Sequence, residues 1–161
     1  MRTFLIMSVM TFFLVSRGQS FEIETIKRDT INLTDVQNKK QGKWLIRGIH
    51  KPGSCYTSNQ KIEEGLYKDN KKIGVWVQYY CNANIKNKIT FVDGKPNGPT
   101  TMYYENGGLK EEGTWINNRW VGKYKSISEN GDVSEIVFDD KGKEVSKKIT
   151  PSKKSVPSKK K

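Results

Sequence analysis

Two pairs of adjacent glutamates, Glu63–Glu64 and Glu111–Glu112, come nearest to a catalytic arrangement. Glycoside hydrolysis uses paired carboxylates of this kind. Each pair stands in a segment that we predict to be a β-strand, where adjacent side chains point to opposite faces. The two carboxylates of a pair therefore cannot converge on one bond. We predict that the chain is not an enzyme and that it has no catalytic residues.

Metal and cofactor sites are also not expected. The lone His50 and the two cysteines, Cys55 and Cys81, are too few for a zinc site, which usually has four ligands in closely spaced pairs. Pairing of the segment 61–68 with 73–80 would bring Cys81 to the edge where the loop around Cys55 lies. In an oxidising compartment we expect a disulfide between them, and the alternative is two free thiols.

Aromatic residues form the other constellation, and they must supply most of the core of a small sheet. Val75 and Tyr79 are expected on one face of their strand and Trp76 on the other, so both faces carry apolar area. A single-layer sheet cannot cover both faces, which leaves a patch for a protein partner or a glycan. The candidate binding face consists of Trp76, Tyr80, Tyr104, Trp115 and Tyr124.

The elements that must position these residues are sequence repeats, marked by the equally spaced glycines Gly74, Gly98 and Gly122. An aromatic residue stands seven positions before each glycine: Tyr67, Phe91 and Trp115. An earlier copy begins at Gly42, and its distance from Gly74 is eight residues longer than one repeat. We place these extra residues in the loop around Cys55. Self-similarity at a fixed period, here about 24 residues, indicates a repeat architecture.

Each repeat is predicted to contribute two antiparallel strands. Asn106-Gly107 and Asn130-Gly131 are strong hairpin signals, because both residue types tolerate the positive φ of a type I′ turn. A second turn is expected at 117–122. The predicted fold is all-β, a single antiparallel meandering sheet of β-hairpin repeats followed by a disordered basic tail.

These motifs, together with Gly-x-Trp at 74–76, Tyr-Tyr at 103–104 and Glu-Glu-Gly at 111–113, resemble the variant MORN repeats of the bacterial YwqK family. The resemblance covers roughly 31–146. It implies protein or membrane contacts, or an antitoxin component of a toxin–antitoxin system, and it brings no catalytic residue. The chain departs from the pattern at Thr100 in place of Trp, at 81–84 in place of Asn-Gly, and in the insertion at Cys55.

The two ends are expected to lie outside the sheet. Arg2, an apolar stretch at 4–15 and small residues before Phe21 are typical of a cleaved signal peptide, residues 1–20. We predict a lead-in and cap at 21–41, a repeat domain at 42–146 and a disordered tail at 147–161. The tail lysines that would attract an anionic surface are Lys153, Lys154, Lys159, Lys160 and Lys161.

The distribution of charge along the chain argues against nucleic acid as the main partner. The chain has a formal net charge of +12, but residues 141–161 hold nine lysines against the single acid Glu144. Residues 21–140 are near neutral, with 18 basic and 16 acidic residues. We therefore predict an exported bacterial binding module of the periplasm, cell envelope or exterior. Its partner is a protein, with anionic membrane or polysaccharide as a further contact of the tail; a toxin-masking antitoxin or a structural or glycan-binding envelope protein are the alternatives.

Overall fold

The computed structural model describes residues 20–24, 29–51 and 53–152. They form one open sheet in which eleven antiparallel strands lie side by side in chain order, which confirms the predicted all-β meander. The strands are β1 Ser20–Glu24, β2 Asp29–Thr34, β3 Lys40–Arg47, β4 Lys61–Lys68, β5 Lys71–Tyr79, β6 Ile85–Val92, β7 Lys95–Tyr103, β8 Leu109–Ile116, β9 Arg119–Ile127, β10 Val133–Phe138 and β11 Glu144–Thr150. A short 3-10 helix, Gly48–His50, follows β3.

The period of the sequence repeat is the spacing of equivalent strands. The strands β5, β7 and β9 begin at Lys71, Lys95 and Arg119. The strands between them, β4, β6, β8 and β10, begin at Lys61, Ile85, Leu109 and Val133, with the same step. One hairpin is therefore one repeat, and residues one repeat apart occupy the same site two strands further across the sheet. The exception is β10, which lacks the bulge of β6 and β8, so its residues after Val133 are shifted by one position.

The recurring glycine is required by the backbone. The pairing of β4 with β5 shifts at Gly65. On one side of the shift Glu64 pairs with Val77, and on the other side Leu66 pairs with Ile73. Gly74 lies in this irregular stretch with φ +64°. Gly98 and Gly122 repeat the arrangement with φ +129° and +70°. L-residues with a Cβ rarely adopt such angles, so glycine recurs at each copy.

The predicted hairpins are present, but the predicted turn type at Asn106-Gly107 and Asn130-Gly131 is wrong. In both pairs only the glycine has a positive φ. The loop after β7 is wider: Tyr104 N donates to Gly108 O at 2.8 Å and Gly107 N donates to Tyr104 O at 2.9 Å. Two consecutive positive-φ residues, the mark of type I′, occur instead in the other connections, at 69–70, 93–94 and 117–118.

The sheet extends past the predicted repeat domain, 42–146, at both ends. At the N-terminal side the predicted lead-in and cap, 21–41, contributes to β1 and β2 of the same sheet. Asn32 links β2 to β3, because its side-chain amide donates to Leu45 O at 3.1 Å and its carbonyl accepts from Leu45 N at 2.8 Å. At the other end β11 runs through Thr150, so the predicted start of a disordered tail at 147 is wrong. Residues 1–19, most of the predicted signal peptide, and 153–161 lie outside the described residues.

Tyrosine hydroxyls in the longer loops donate hydrogen bonds to backbone carbonyls of the next repeat. Tyr56 donates to Tyr79 O at 2.7 Å, Tyr80 to Tyr103 O at 2.8 Å, and Tyr104 to Ile127 O at 2.7 Å. Each bond spans 23 residues. The three donors are themselves equally spaced, one repeat apart, so one contact recurs with the fold.

We expect Tyr80→Phe and Tyr104→Phe each to lower the free energy of unfolding by about 1 kcal/mol, because each removes one hydrogen bond to a part-buried carbonyl. Urea unfolding monitored by tryptophan fluorescence measures the change. Tyr103→Phe is the matched control, since its hydroxyl makes no such bond to a carbonyl among the described residues. Equal losses in all three variants would contradict the assignment.

Candidate binding surface

One face of the sheet, the ring face, carries most of the rings of the repeats: Trp44, Tyr67, Trp76, Phe91, Trp115, Trp120, Tyr124 and Phe138. Cross-strand register and strand alternation place them together. Ring centroids lie 5.5 Å apart for Trp44 and Tyr67, 4.8 Å for Tyr67 and Trp76, and 4.5 Å for Trp115 and Trp120. The rings therefore pack in two groups, one of Trp44, Tyr67 and Trp76 on β3–β5 and one of Trp115, Trp120, Tyr124 and Phe138 on β8–β10.

Lysine side chains cover the rings from the solvent side. Lys40 Nζ lies 4.6 Å from the centroid of the Trp44 ring, and Lys72 Nζ lies 3.9 Å from that of Trp76. Both ammonium groups are positioned for a cation–π attraction. Burial and the charge of Lys40 lower the pKa of Lys72 below its ordinary value. The aromatic row of the first repeats is thus part of the core rather than a bare surface.

The predicted binding face is corrected at Trp76, and its other rings are engaged in contacts within the fold. Trp76 is only 1% exposed, and its indole N–H donates to Leu66 O, so it cannot contact a partner. Tyr80 and Tyr104 use their hydroxyls within the fold. Trp115 packs edge-on against Trp120, and Tyr124 lies between Trp120 and Phe138. A sheet with no second layer must cover its largest rings with its own neighbouring side chains.

Thr100, which departs from the repeat pattern, is explained by its neighbour across the strands. Trp76 lies over Gly65, where an added Cβ would come within 2.3 Å of the indole. Thr100 is paired with Ile89, which stands one repeat after Gly65. In one copy the small residue is Gly65 and the large one is Trp76. In the next copy the large residue, Ile89, stands at the position of the glycine, and the smaller Thr100 stands at the position of the tryptophan. Thr100 remains buried at 3% exposure. The filled volume at this position is kept although the residue types change.

The opposite face, the valine face, holds the exposed apolar residues of the repeats. Leu66, Val75, Val92 and Val137 are 46%, 55%, 54% and 39% exposed. Between β4 and β10 they are all of the exposed large hydrophobic residues, and strand alternation places every one of them opposite the rings. The exposed apolar residues of β4–β10 therefore lie on the valine face, which the sequence did not select, whereas Leu45 on the same face of β3 is buried at 0% exposure.

A groove of about 820 Å³ lies across β7–β11, lined mainly by residues of the valine face. A cross-strand row runs along it in register: Thr101, Glu112, Lys125, Glu135 and Lys148. The charges alternate in sign from strand to strand, and Lys125 Nζ lies 3.9 Å from Glu112 Oε1. The groove can therefore bind a surface of mixed charge.

The paired glutamates diverge, as their positions in the strand predict. Glu63 faces the rings, pairs with Lys72 and accepts from Gln78. Glu64 faces the other side and accepts from Tyr79 and Lys61. Burial raises the pKa of Glu64, but these two hydrogen bonds together with the charges of Lys61 and Lys43 lower it more, so the pKa lies below its ordinary value. Burial and the same carboxylate raise the pKa of Tyr79.

Glu64→Gln is expected to change how stability depends on pH. The folded-state pKa lies below the ordinary value of 4.5, so the carboxylate stabilises the fold above that pH. The contribution is lost as the pH falls through the folded-state pKa. Thermal midpoints of wild type and variant, measured between about pH 6 and about pH 2, should differ at the upper end and converge at the lower end. A constant difference would contradict this.

The structure joins Cys55 to Cys81 as a disulfide, with the Cα atoms 5.8 Å apart. The bond ties the long loop after β3 to the turn after β5. Gln60 reinforces it, since its amide donates to Cys81 O at 2.6 Å. His50 lies in the same region, accepts from Arg47 N at 3.0 Å and lies 3.5 Å from Glu22. Its contacts are those of a residue that fixes the loop.

Other site types are absent from the described part of the chain. No group of three His, Cys, Asp or Glu residues there is arranged to hold a metal ion. No helix there is long and apolar enough to cross a membrane. The predicted tail lysines, Lys153 onwards, lie outside it. Tyr56, which the sequence argument missed, could have been found because it stands one repeat before Tyr80.

Comparison with known proteins adds no assignment to this geometry. No family model matches the chain, and no curated protein is significantly similar to it. The two faces of the sheet are therefore interpreted from their own residues.

Proposed function

We propose that this chain is a non-enzymatic protein-binding module and that its partner docks on the valine face. The observation that carries the proposal is the one-sided exposure of Leu66, Val75, Val92 and Val137. Apolar side chains of this size gain about 25 cal/mol for each Å² removed from water. A partner that covers them gains this energy without disturbing the packed rings of the other face.

The charged row on the same face, next to Val137, supplies specificity. Glu112, Lys125, Glu135 and Lys148 alternate in sign along the groove. A partner with the opposite order of charges is favoured, and one with a single sign meets repulsion at every second strand. Exposed pairs contribute little energy each, so the apolar residues provide affinity and the charges set the register.

An exported location is part of the proposal. Disulfides form and persist in oxidising compartments, and the Cys55–Cys81 bond supports such a compartment for this chain. The resemblance to variant MORN repeats supports a binding role. The same bond disfavours a cytosolic antitoxin, the alternative that the resemblance suggests. The tail lysines would add attraction to anionic lipid or polysaccharide of the envelope.

Site-specific photo-cross-linking tests the proposal. The photoreactive residue replaces Val75 on the valine face, or Val36 as a matched control that is 64% exposed in the loop after β2. With envelope fractions, we expect one dominant protein adduct from position 75 and not from position 36. Leu66→Glu should remove it. Identical adducts from both positions, or none from position 75, would overturn the proposal.

The contribution of the tail is measured in the same assay. Because β11 reaches Thr150, the truncation belongs after Ser152. A protein adduct that survives this truncation assigns binding to the sheet, whereas one lost with the tail assigns it to the lysines.

A further inference from the structure

The last repeat differs from the earlier ones at three positions that lie together on the ring face. Each of three large side chains is followed, one repeat later, by a serine. The pairs are Met102 and Ser126, Tyr104 and Ser128, and Lys110 and Ser134. One repeat earlier the same sequence positions carry Gln78, Tyr80 and Lys86. The last copy also lacks the bulge that holds Lys86 and Lys110: Ser126 pairs directly with Ser134, where Met102 pairs with Glu111 in the preceding repeat, so a serine faces a serine there.

In the earlier repeats these side chains fill the surface. Lys86 Nζ lies 5.6 Å from the centroid of the Tyr80 ring, and Lys110 Nζ lies 5.7 Å from that of Tyr104. Gln78 accepts from Asn87 at 2.9 Å and donates to Glu63. Three serines cannot span this space. The last repeat instead has a pocket of about 460 Å³ lined by all three of them.

The pocket, here called the serine pocket, combines rings with polar groups. Tyr104 comes from the loop of the preceding repeat and Tyr124 from β9. Ser126 and Ser134 are paired across β9 and β10, and Ile149 of the edge strand is paired with Ser134. The carboxylates of Glu111 and Asp132 also line it. Its volume lies in the ordinary range of small-molecule sites, about 300–1,000 Å³.

We propose that the serine pocket binds one saccharide unit of a glycan. Tyrosine rings can pack against the C–H face of a sugar, and the hydroxyls of Ser126 and Ser134 and the Glu111 carboxylate can bond its hydroxyl groups. Ser128 and Asp132 are bonded within their own turn and shape the wall of the pocket. Two carboxylates, Glu111 and Asp132, line the pocket against one ammonium group, Lys110, which disfavours an anionic ligand, and the serines disfavour a purely apolar one. This site is on the face opposite the proposed protein-docking surface, so it adds an activity to the proposed function and does not depend on it.

The test restores the paired residues of the preceding repeat. Ser126→Met with Ser134→Glu should fill the serine pocket with the pair Met102 and Glu111, which this sheet already holds in register. Binding of chitotetraose, cellotetraose and maltotetraose to the full chain is measured by isothermal titration calorimetry. We expect wild type to bind at least one of them and the filled variant to bind it at least tenfold more weakly.

Two further variants make the result decisive. Ser58→Met, in the loop before β4, is the matched control and should keep wild-type affinity. Ser126→Ala leaves the pocket open but removes one hydroxyl, so it should weaken binding less than filling does. Circular dichroism shows whether each variant is folded. Absence of binding by wild type at millimolar saccharide, or equal binding by wild type and the filled variant, would overturn the proposal.

Discussion

Gly65→Ile is expected to lower the free energy of unfolding by about 3 kcal/mol, a large fraction of the stability of a small domain. A Cβ at position 65 would lie 2.3 Å from Trp76 Cδ2 and 2.4 Å from Cε2. The indole cannot move aside easily, because it is 1% exposed and its N–H donates to Leu66 O at 3.0 Å. Urea unfolding at equilibrium measures the loss.

The double variant Gly65→Ile with Trp76→Thr should be more stable than Gly65→Ile alone. It reproduces the pair Ile89 and Thr100, which the same sheet already holds in register. Residues in contact commonly show a coupling energy of about 0.5–3 kcal/mol. Trp76→Thr alone should be destabilising, because it leaves Gly65 facing empty space. Strictly additive effects in this cycle would contradict the exchange of large and small residues.

Reduction of the disulfide is expected to cost about 3 kcal/mol of unfolding free energy. The bond joins residues separated by 26 positions, and closing a loop of that length removes much conformational entropy from the unfolded chain. In the folded protein it holds the insertion after β3 against the turn after β5. Chemical unfolding with and without a phosphine reductant measures the difference.

The Cys55→Ser, Cys81→Ser double variant is the control for reduction. It should unfold at the denaturant concentration of the reduced wild type and should not respond to the reductant. A wild type that is insensitive to the reductant, with all thiols shown to be free by mass spectrometry, would mean that the reduced loop is held by its other contacts. These include Gln60 to Cys81 O and Tyr56 to Tyr79 O.

Much of the architecture can be predicted from the sequence, because its elements are local. The glycines at 74, 98 and 122 mark a repeat, and the strands of the sheet reproduce their constant step. Hairpins connect neighbours in the chain, so strand order follows sequence order. The type of each turn could not be predicted as well. Asn and Asp adopt positive φ more readily than other residues that have a Cβ, so several connections had suitable residues.

The proposed binding surface could not be predicted from residue types, since both faces of repeat strands such as β5 carry apolar residues. Which face is covered depends on contacts between repeats: the rings reach each other across neighbouring strands, and Lys40 and Lys72 lie over them. Valine side chains are too short to do the same. The sequence alone determined the repeat, the hairpins and the separation of the paired glutamates. Only the tertiary structure decided that Trp76 is core and that Val75 is surface, because burial depends on neighbours that are distant in the chain.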